Sequence, residues 1–154
     1  ASTGDTYTSN PGDSFVEPLS ALRAVITPSS TSSKILIIIT LPIFLGNTGN
    51  VGSGQLVFDT AGGSSDVIVP PNSSQVVDSE YAHFPAALPT ATYDAQGTTY
   101  SVLHSPSTTS QLTYKVRGKM EQGSQAMYIN RTVRNSTNSD PTTVATITVM
   151  EIAG

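Results

Sequence analysis

The residues whose types allow catalysis or metal binding are two histidines, with three carboxylates near them in the sequence: His83, His104, Asp78, Glu80 and Asp94. A metal site requires two or three such side chains to converge, yet the chain contains no HxH, HExxH or EF-hand spacing. Acyl transfer by a serine needs a histidine and a carboxylate in reach, and no GxSxG elbow is present. We therefore expect no catalytic residue, no metal and no cofactor, and a protein that is not an enzyme.

Three cationic residues repeat at every second position of one predicted strand. Because side chains alternate between the two faces of a strand, Lys115, Arg117 and Lys119 project from the same face. Such a face can contact an acidic capsid surface, an anionic glycan or the phosphates of lipopolysaccharide. An ordinary solvated strand face carries the same pattern, so both interpretations remain open.

Aromatic residues cluster outside the strongest predicted strands, and Tyr81 and Phe84 lie in a long proline-rich connection. Exposed aromatic side chains are typical of surfaces that bind proteins or sugars. They can equally plug the ends of a β-sandwich. Tyr81 and Phe84 are therefore candidate contacts with a partner or receptor, as is the glycine-rich segment 46–54, which is predicted to be a hairpin loop.

The composition restricts the class of protein. The chain has 154 residues, which suits one domain, and no cysteine, which removes disulfides and thiolate chemistry. Only 12% of the residues are charged, and the net charge of −4 argues against a nucleic-acid partner. The longest apolar run, residues 35–45, is too short to cross a membrane, so we expect no membrane insertion.

The elements that must position these residues are all predicted to be strands. Residues 34–41 (KILIIITL) are apolar on both faces, which indicates a central strand covered on both sides, with Pro42 either ending its regular part or marking a bulge. Elsewhere apolar residues alternate with polar ones in short runs between turn residues. The sequence predicts an all-β protein of about eight strands, an antiparallel jelly-roll-like β-sandwich over residues 15–154, preceded by an extended arm over residues 1–14.

Three segments carry a resemblance to a known module: residues 26–37 (ITPSSTSSKILI), 127–132 (MYINRT) and 145–152 (ATITVMEI). In this order and spacing they resemble a virion surface module of tailed phages of the marine and cyanophage type. The module occurs in tail-fibre tips and in capsid decoration proteins. The resemblance implies a trimeric jelly roll, similar to tumour-necrosis-factor-like heads, on the outer surface of a virion.

We therefore expect a virion structural protein, and most specifically a capsid decoration or cement protein that stabilises the shell as a homotrimer. Its partners are then copies of itself and other virion proteins, such as the major capsid protein. The alternatives are the receptor-binding tip of a tail or head fibre that recognises a host surface glycan, and a free-standing lectin.

The final predicted strand is the candidate subunit interface. Its apolar side chains fall on two faces, with Val144, Met150 and Ile152 on one and Ile147 and Val149 on the other. One face fills the sandwich, and the other is free to pack against a neighbouring subunit. Glu151 is the charged exception in this strand and would then need a partner such as Arg131.

Overall fold

A computed structural model describes most of the strands and part of the connections. The described residues are 6–9, 15, 17, 21–45, 52–63, 65–68, 84–86, 96–120, 125–132 and 143–154. Within these ranges no helix has the length and apolar character needed to cross a membrane. The described strands are β1 (Thr6–Ser9), β2 (Arg23–Ile26), β3 (Lys34–Leu45), β4 (Gly52–Thr60), β5 (Ser65–Val67), β6 (Phe84–Ala86), β7 (Gln96–His104), β8 (Leu112–Met120), β9 (Gln125–Ile129) and β10 (Thr146–Ile152).

The first sheet is built around β3. Strand β7 pairs with one edge of β3, while β10 and then β9 pair with successive parts of the other edge. Strand β1 pairs with β9. Because β9 and β10 run in the same direction along one edge of β3, they act as a single long strand from which residues 130–145 are looped out.

The second sheet is built around β4. Strand β8 pairs with β4 along its whole length, and β2 pairs with the far edge of β8. On the opposite edge of β4, β6 and β5 pair with its first and last parts. A turn closed by the hydrogen bond from Gly63 N to Thr60 O (2.9 Å) leads from β4 towards β5, and Gly63 adopts the positive φ of 83° that a residue without Cβ tolerates.

The ten described strands occupy eight positions, because β5 shares a position with β6 and β9 shares one with β10. Numbered along the chain, these positions follow the order 1-8-3-6 in the first sheet and 2-7-4-5 in the second. Two antiparallel sheets with this order form a jelly roll. The predicted all-β sandwich of about eight strands is confirmed.

The core lies between the two sheets and is filled by alternate residues of the central strands. In β3 the inward residues Ile35, Ile37 and Ile39 are almost completely buried, because they face Leu112 and Tyr114 of β8 and their neighbours. Burial of one such side chain stabilises the folded state by about 1.5–3 kcal/mol. β3 is the central strand that the sequence predicts, but its outward residues Leu36 and Ile38 are only half-buried.

Two details of the predicted strand pattern were wrong. β3 does not end near Pro42 but continues to Leu45, because β10 pairs only as far as Thr40 and β9 begins at Ile43. Pro42 thus sits at a gap on that edge, where a missing amide donor is tolerated. Nor does segment 46–54 close a hairpin, because β3 and β4 belong to different sheets.

The N-terminal segment is partly integrated into the sandwich. Residues 1–14 are predicted as an extended arm, but Thr6–Ser9 forms β1 and pairs with β9 of the same chain. The other residues of that arm lie outside the described part of the structure. The predicted strand over residues 74–77 also lies outside it.

A candidate assembly surface on the first sheet

The outer face of the first sheet carries an apolar patch that extends over three adjacent strands. In the strand register, Met150 of β10 lies beside Leu36 of β3, and Leu36 lies beside Leu103 of β7. One row further along, Ile38 lies between Thr148 and Ser101. We call this surface, made of Leu36, Ile38, Leu103, Met150 and Ile152, the outer apolar patch.

The side chains of the outer apolar patch are unusually accessible to solvent. Leu103 is 50% exposed, Met150 43% and Ile152 44%, and Val144 next to β10 is 56% exposed. Single exposed apolar residues are common, but a contiguous apolar area on a soluble domain marks an interaction surface. Among the outward positions of β3, β7 and β10 in the described register, Lys34 is the one charged residue. It lies at the end of the patch, beside Ile152.

The two faces of β10 are as the sequence predicts. Ile147 and Val149 point inwards and pack against the core, whereas Val144, Met150 and Ile152 point outwards. The role of these five residues in a subunit interface remains a prediction. The sequence did not indicate Leu36 and Leu103, because their place beside Met150 depends on the register of strands that are far apart in the chain.

The partner of Glu151 differs from the prediction. Glu151 Oε1 accepts hydrogen bonds from Ser29 N (2.7 Å) and Ser29 Oγ (2.6 Å), while the Arg131 guanidinium lies 4.6 Å from the centre of the Tyr128 ring. Arg131 as the partner of Glu151 was therefore wrong. The serine-rich loop before β3 supplies the donors instead, because β10 runs antiparallel to β3 and ends beside that loop.

The contact with Ser29 affects the ionisation of Glu151. The Ser29 hydroxyl, followed by the Ser33 hydroxyl and then the Ser29 backbone amide, holds the pKa of Glu151 below the ordinary value of 4.5. A carboxylate with a lowered pKa stabilises the fold above its unfolded pKa, and that contribution is lost as the pH falls through the folded pKa.

We therefore expect Glu151→Gln to lower the melting temperature at pH 7, and to have a smaller effect as the pH falls through the folded pKa of Glu151 and the wild-type carboxyl group becomes protonated as well. Melting curves from pH 7 to pH 3 measure this difference. Ser29→Ala is the matched control, because it removes the hydroxyl donor and should weaken the pH dependence in the same direction. A difference between wild type and Glu151→Gln that stays constant over this range contradicts the assignment.

Asn130 joins the end of β9 to the start of β10. Its side-chain Oδ1 accepts a hydrogen bond from Ala145 N (2.5 Å), and its backbone has a positive φ of 69°. Asparagine tolerates this left-handed conformation better than other residues with a Cβ. The residue thereby holds together the two ends of the looped-out segment 130–145.

Asn130→Ala should destabilise the fold by about 2–4 kcal/mol, since it adds backbone strain and leaves the Ala145 amide without its acceptor. Asn130→Gly loses the same acceptor but relieves the strain, so we expect about 1–2 kcal/mol. Urea unfolding of the two variants measures both values. Equal destabilisation by alanine and glycine would show that the positive φ is not a source of strain.

The three predicted cationic residues lie together on the outer face of the second sheet, but contacts within the chain engage some of their side chains. Lys115 is buried, and its Nζ lies 2.5 Å from Asp59 Oδ2. Lys119 lies over the Phe15 ring, 5.4 Å from its centre. Arg117 is half-buried. Lys115 is therefore occupied by a contact within the chain, and its role as a partner contact is not supported by this geometry.

The remaining candidate contacts fall outside what the structure describes. Tyr81 is not among the described residues. The backbone of Phe84 belongs to β6, opposite Gly54 of β4, but its side chain is outside the described part. Their role as receptor contacts stays a prediction.

One of the two histidines, His104, is half-buried beside the core. The imidazole Nδ1 of His104 lies 2.8 Å from the hydroxyl of buried Tyr114, and its ring packs 4.5 Å from that of Phe58. Burial lowers the pKa of His104 and raises that of Tyr114. A neutral histidine that bonds to a buried tyrosine and packs on a phenylalanine is a structural residue beside the core. His83 lies outside the described residues.

Comparison with known proteins adds a similarity to solved structures. No protein-family model matches the chain, and no curated protein matches it. Among solved structures, a chain from "Structure of infectious bursal disease virus Gt strain" is similar, with a TM-score of 0.48 and 10% sequence identity. The similarity covers 82% of this chain and 28% of the viral chain. The class of fold, a jelly roll, therefore rests on the strand order of this chain itself.

Proposed function

We propose that this protein is a non-enzymatic structural component of a bacteriophage virion, displayed on the outer surface of the particle. More specifically, we propose a capsid decoration protein whose homotrimers cement the shell. The observation that carries this proposal is the outer apolar patch, a contiguous apolar face on a protein whose charged residues lie mostly elsewhere.

The patch supports assembly because exposed apolar area gains free energy when it is removed from water. The coefficient is about 25 cal/mol for each Å² buried, so a face with several half-exposed leucine, isoleucine and methionine side chains favours association strongly. The patch lies on strands rather than on loops, so its shape is held by the core behind it. Such a surface suits a permanent contact between subunits.

The three segments that resemble the phage module support the same proposal through their positions. Residues 26–37 and 145–152 meet where Glu151 binds Ser29 and where β3 pairs with β10. Residues 127–132 contain Asn130, which joins β9 to β10. The resemblance therefore falls on one connected part of the fold, which contributes Leu36, Met150 and Ile152 to the outer apolar patch.

Quantitative mass spectrometry of purified particles tests the proposal. A decoration protein should be present in hundreds of copies, comparable to the major capsid protein. A copy number of a few to tens would favour the receptor-binding tip of a fibre. Absence from purified particles would contradict a virion role and leave the free lectin, which a glycan array with the isolated protein would detect.

A further inference from the structure

Strand β10 has an open edge in the described part of the chain. It pairs with β3 from Thr146 to Ile152, and no other described strand pairs with its opposite edge. In an antiparallel pair alternate residues direct their N–H and C=O groups to opposite sides. Every second residue of β10 therefore directs a donor and an acceptor away from β3.

Apart from Glu151, whose carboxylate is bound by Ser29, the sequence of β10 lacks the residues that usually protect an edge strand. TITVMEI contains no proline, glycine or lysine, and five of its seven residues are β-branched. Native edges are normally blocked by such residues or by a bulge. The inward residues Ile147 and Val149 are only half-buried, whereas the inward residues of β3 are fully buried. A further strand beside β10 would complete their burial.

A second copy of β10 fits this edge. In an antiparallel pair centred on Val149, Met150 lies opposite Thr148, and Glu151 lies opposite Ile147 of the other copy. No charge then faces a like charge, which would be destabilising in directly opposed positions. The carboxylate of Glu151 is already bound by Ser29 of its own chain.

We propose that β10 pairs antiparallel with β10 of a second copy of this chain, about a two-fold axis at Val149. Each five-stranded sheet is thereby extended across the contact into a continuous sheet of two subunits. This contact uses the edge of β10, whereas the trimer contact uses its outward side chains. The inference therefore goes beyond the proposed function and does not depend on it.

Disulfide cross-linking tests the register, since the chain has no cysteine of its own. Thr148→Cys and Met150→Cys place thiols at exposed outward positions that the proposed pairing makes directly opposite each other. Directly opposed residues of antiparallel strands have Cα atoms about 4.5–5.5 Å apart, which a disulfide can span. The two variants are mixed under mild oxidation, with one carrying a mass tag so that mixed dimers are distinguishable.

We expect the disulfide dimer between the two different variants to form at least about fivefold more than the dimer of either variant with itself. The reason is that positions 148 and 150 are directly opposite each other, whereas two copies of the same position are only diagonal neighbours. Ser101→Cys is the control, since it is exposed on the same face but lies in β7 at the other edge of the sheet. Equal yields from the single variants, or from Thr148→Cys mixed with Ser101→Cys, overturn the proposed pairing.

Repeating the cross-linking in a Leu103→Lys background separates this contact from one made by the outer apolar patch. Leu103 lies two strands away from the open edge, so edge pairing should persist in that background. Amide hydrogen exchange of β10 should also slow by at least about tenfold at high protein concentration, because edge pairing gives the open amides acceptors. Loss of the cross-link with Leu103→Lys, or unchanged exchange, overturns the inference.

Discussion

Replacing Leu103 and Met150 together with lysine is expected to convert the assembled protein into monomers while leaving the monomer folded. Both side chains are about half exposed, so lysine can extend into solvent in the monomer at little cost. In an assembly that buries the outer apolar patch, the same change removes apolar contact and places two unpaired charges in the interface, which is strongly unfavourable. Each buried apolar anchor contributes about 1.5–3 kcal/mol, so loss of two of them should increase dissociation by at least about a hundredfold.

Analytical ultracentrifugation of the wild type and the double variant measures this effect. Val25→Lys is the matched control, because Val25 is 56% exposed and apolar but lies on the outer face of the second sheet. Melting temperatures of the monomers at low concentration show whether the fold is intact. If the double variant assembles like the wild type, or if Val25→Lys dissociates it equally, the outer apolar patch is not the subunit interface.

The second large effect is expected at the ion pair on the other sheet. Lys115→Ala should destabilise the monomer by about 3 kcal/mol, because Lys115 is buried and its removal breaks the ion pair between its ammonium group and Asp59 Oδ2. Chemical unfolding measures the loss. Lys119→Ala is the control, since Lys119 is half-buried and contacts only the Phe15 ring among its described partners, and we expect less than about 1 kcal/mol there.

A double-mutant cycle with Asp59→Asn isolates the contribution of the pair. We expect a coupling energy of about 2 kcal/mol between positions 115 and 59, because the effects of replacing two residues in direct contact on the free energy of unfolding are not additive. A coupling energy near zero would show that replacing Lys115 destabilises the fold only through lost packing, and not through the loss of its ion pair.

Local patterns in the sequence were enough to predict much of the fold. The uninterrupted apolar run in β3 indicated the central strand, and the alternation in β10 assigned its inward and outward faces correctly. These features depend only on the two-residue period of a strand. The jelly-roll order was expected from the same short strands together with the resemblance to the phage module.

Features that depend on distant segments were not predicted. No local pattern indicates that Leu103 lies beside Leu36, because pairing register is set by the whole sheet. Glu151 was assigned to Arg131, a nearby opposite charge, whereas the antiparallel course of β10 carries it to Ser29. Lys115 alternates as a solvated residue does, and its ion pair with Asp59 depends on the register between β8 and the separate strand β4.

The most direct test is the accessibility of the outer apolar patch in the intact particle. Leu103→Cys introduces a unique thiol, and Thr109→Cys provides the same group in an exposed segment between β7 and β8. Maleimide labelling should modify both thiols in the isolated monomer, but only that of T109C in assembled virions. Equal labelling of both thiols in virions would contradict burial of this face in the shell.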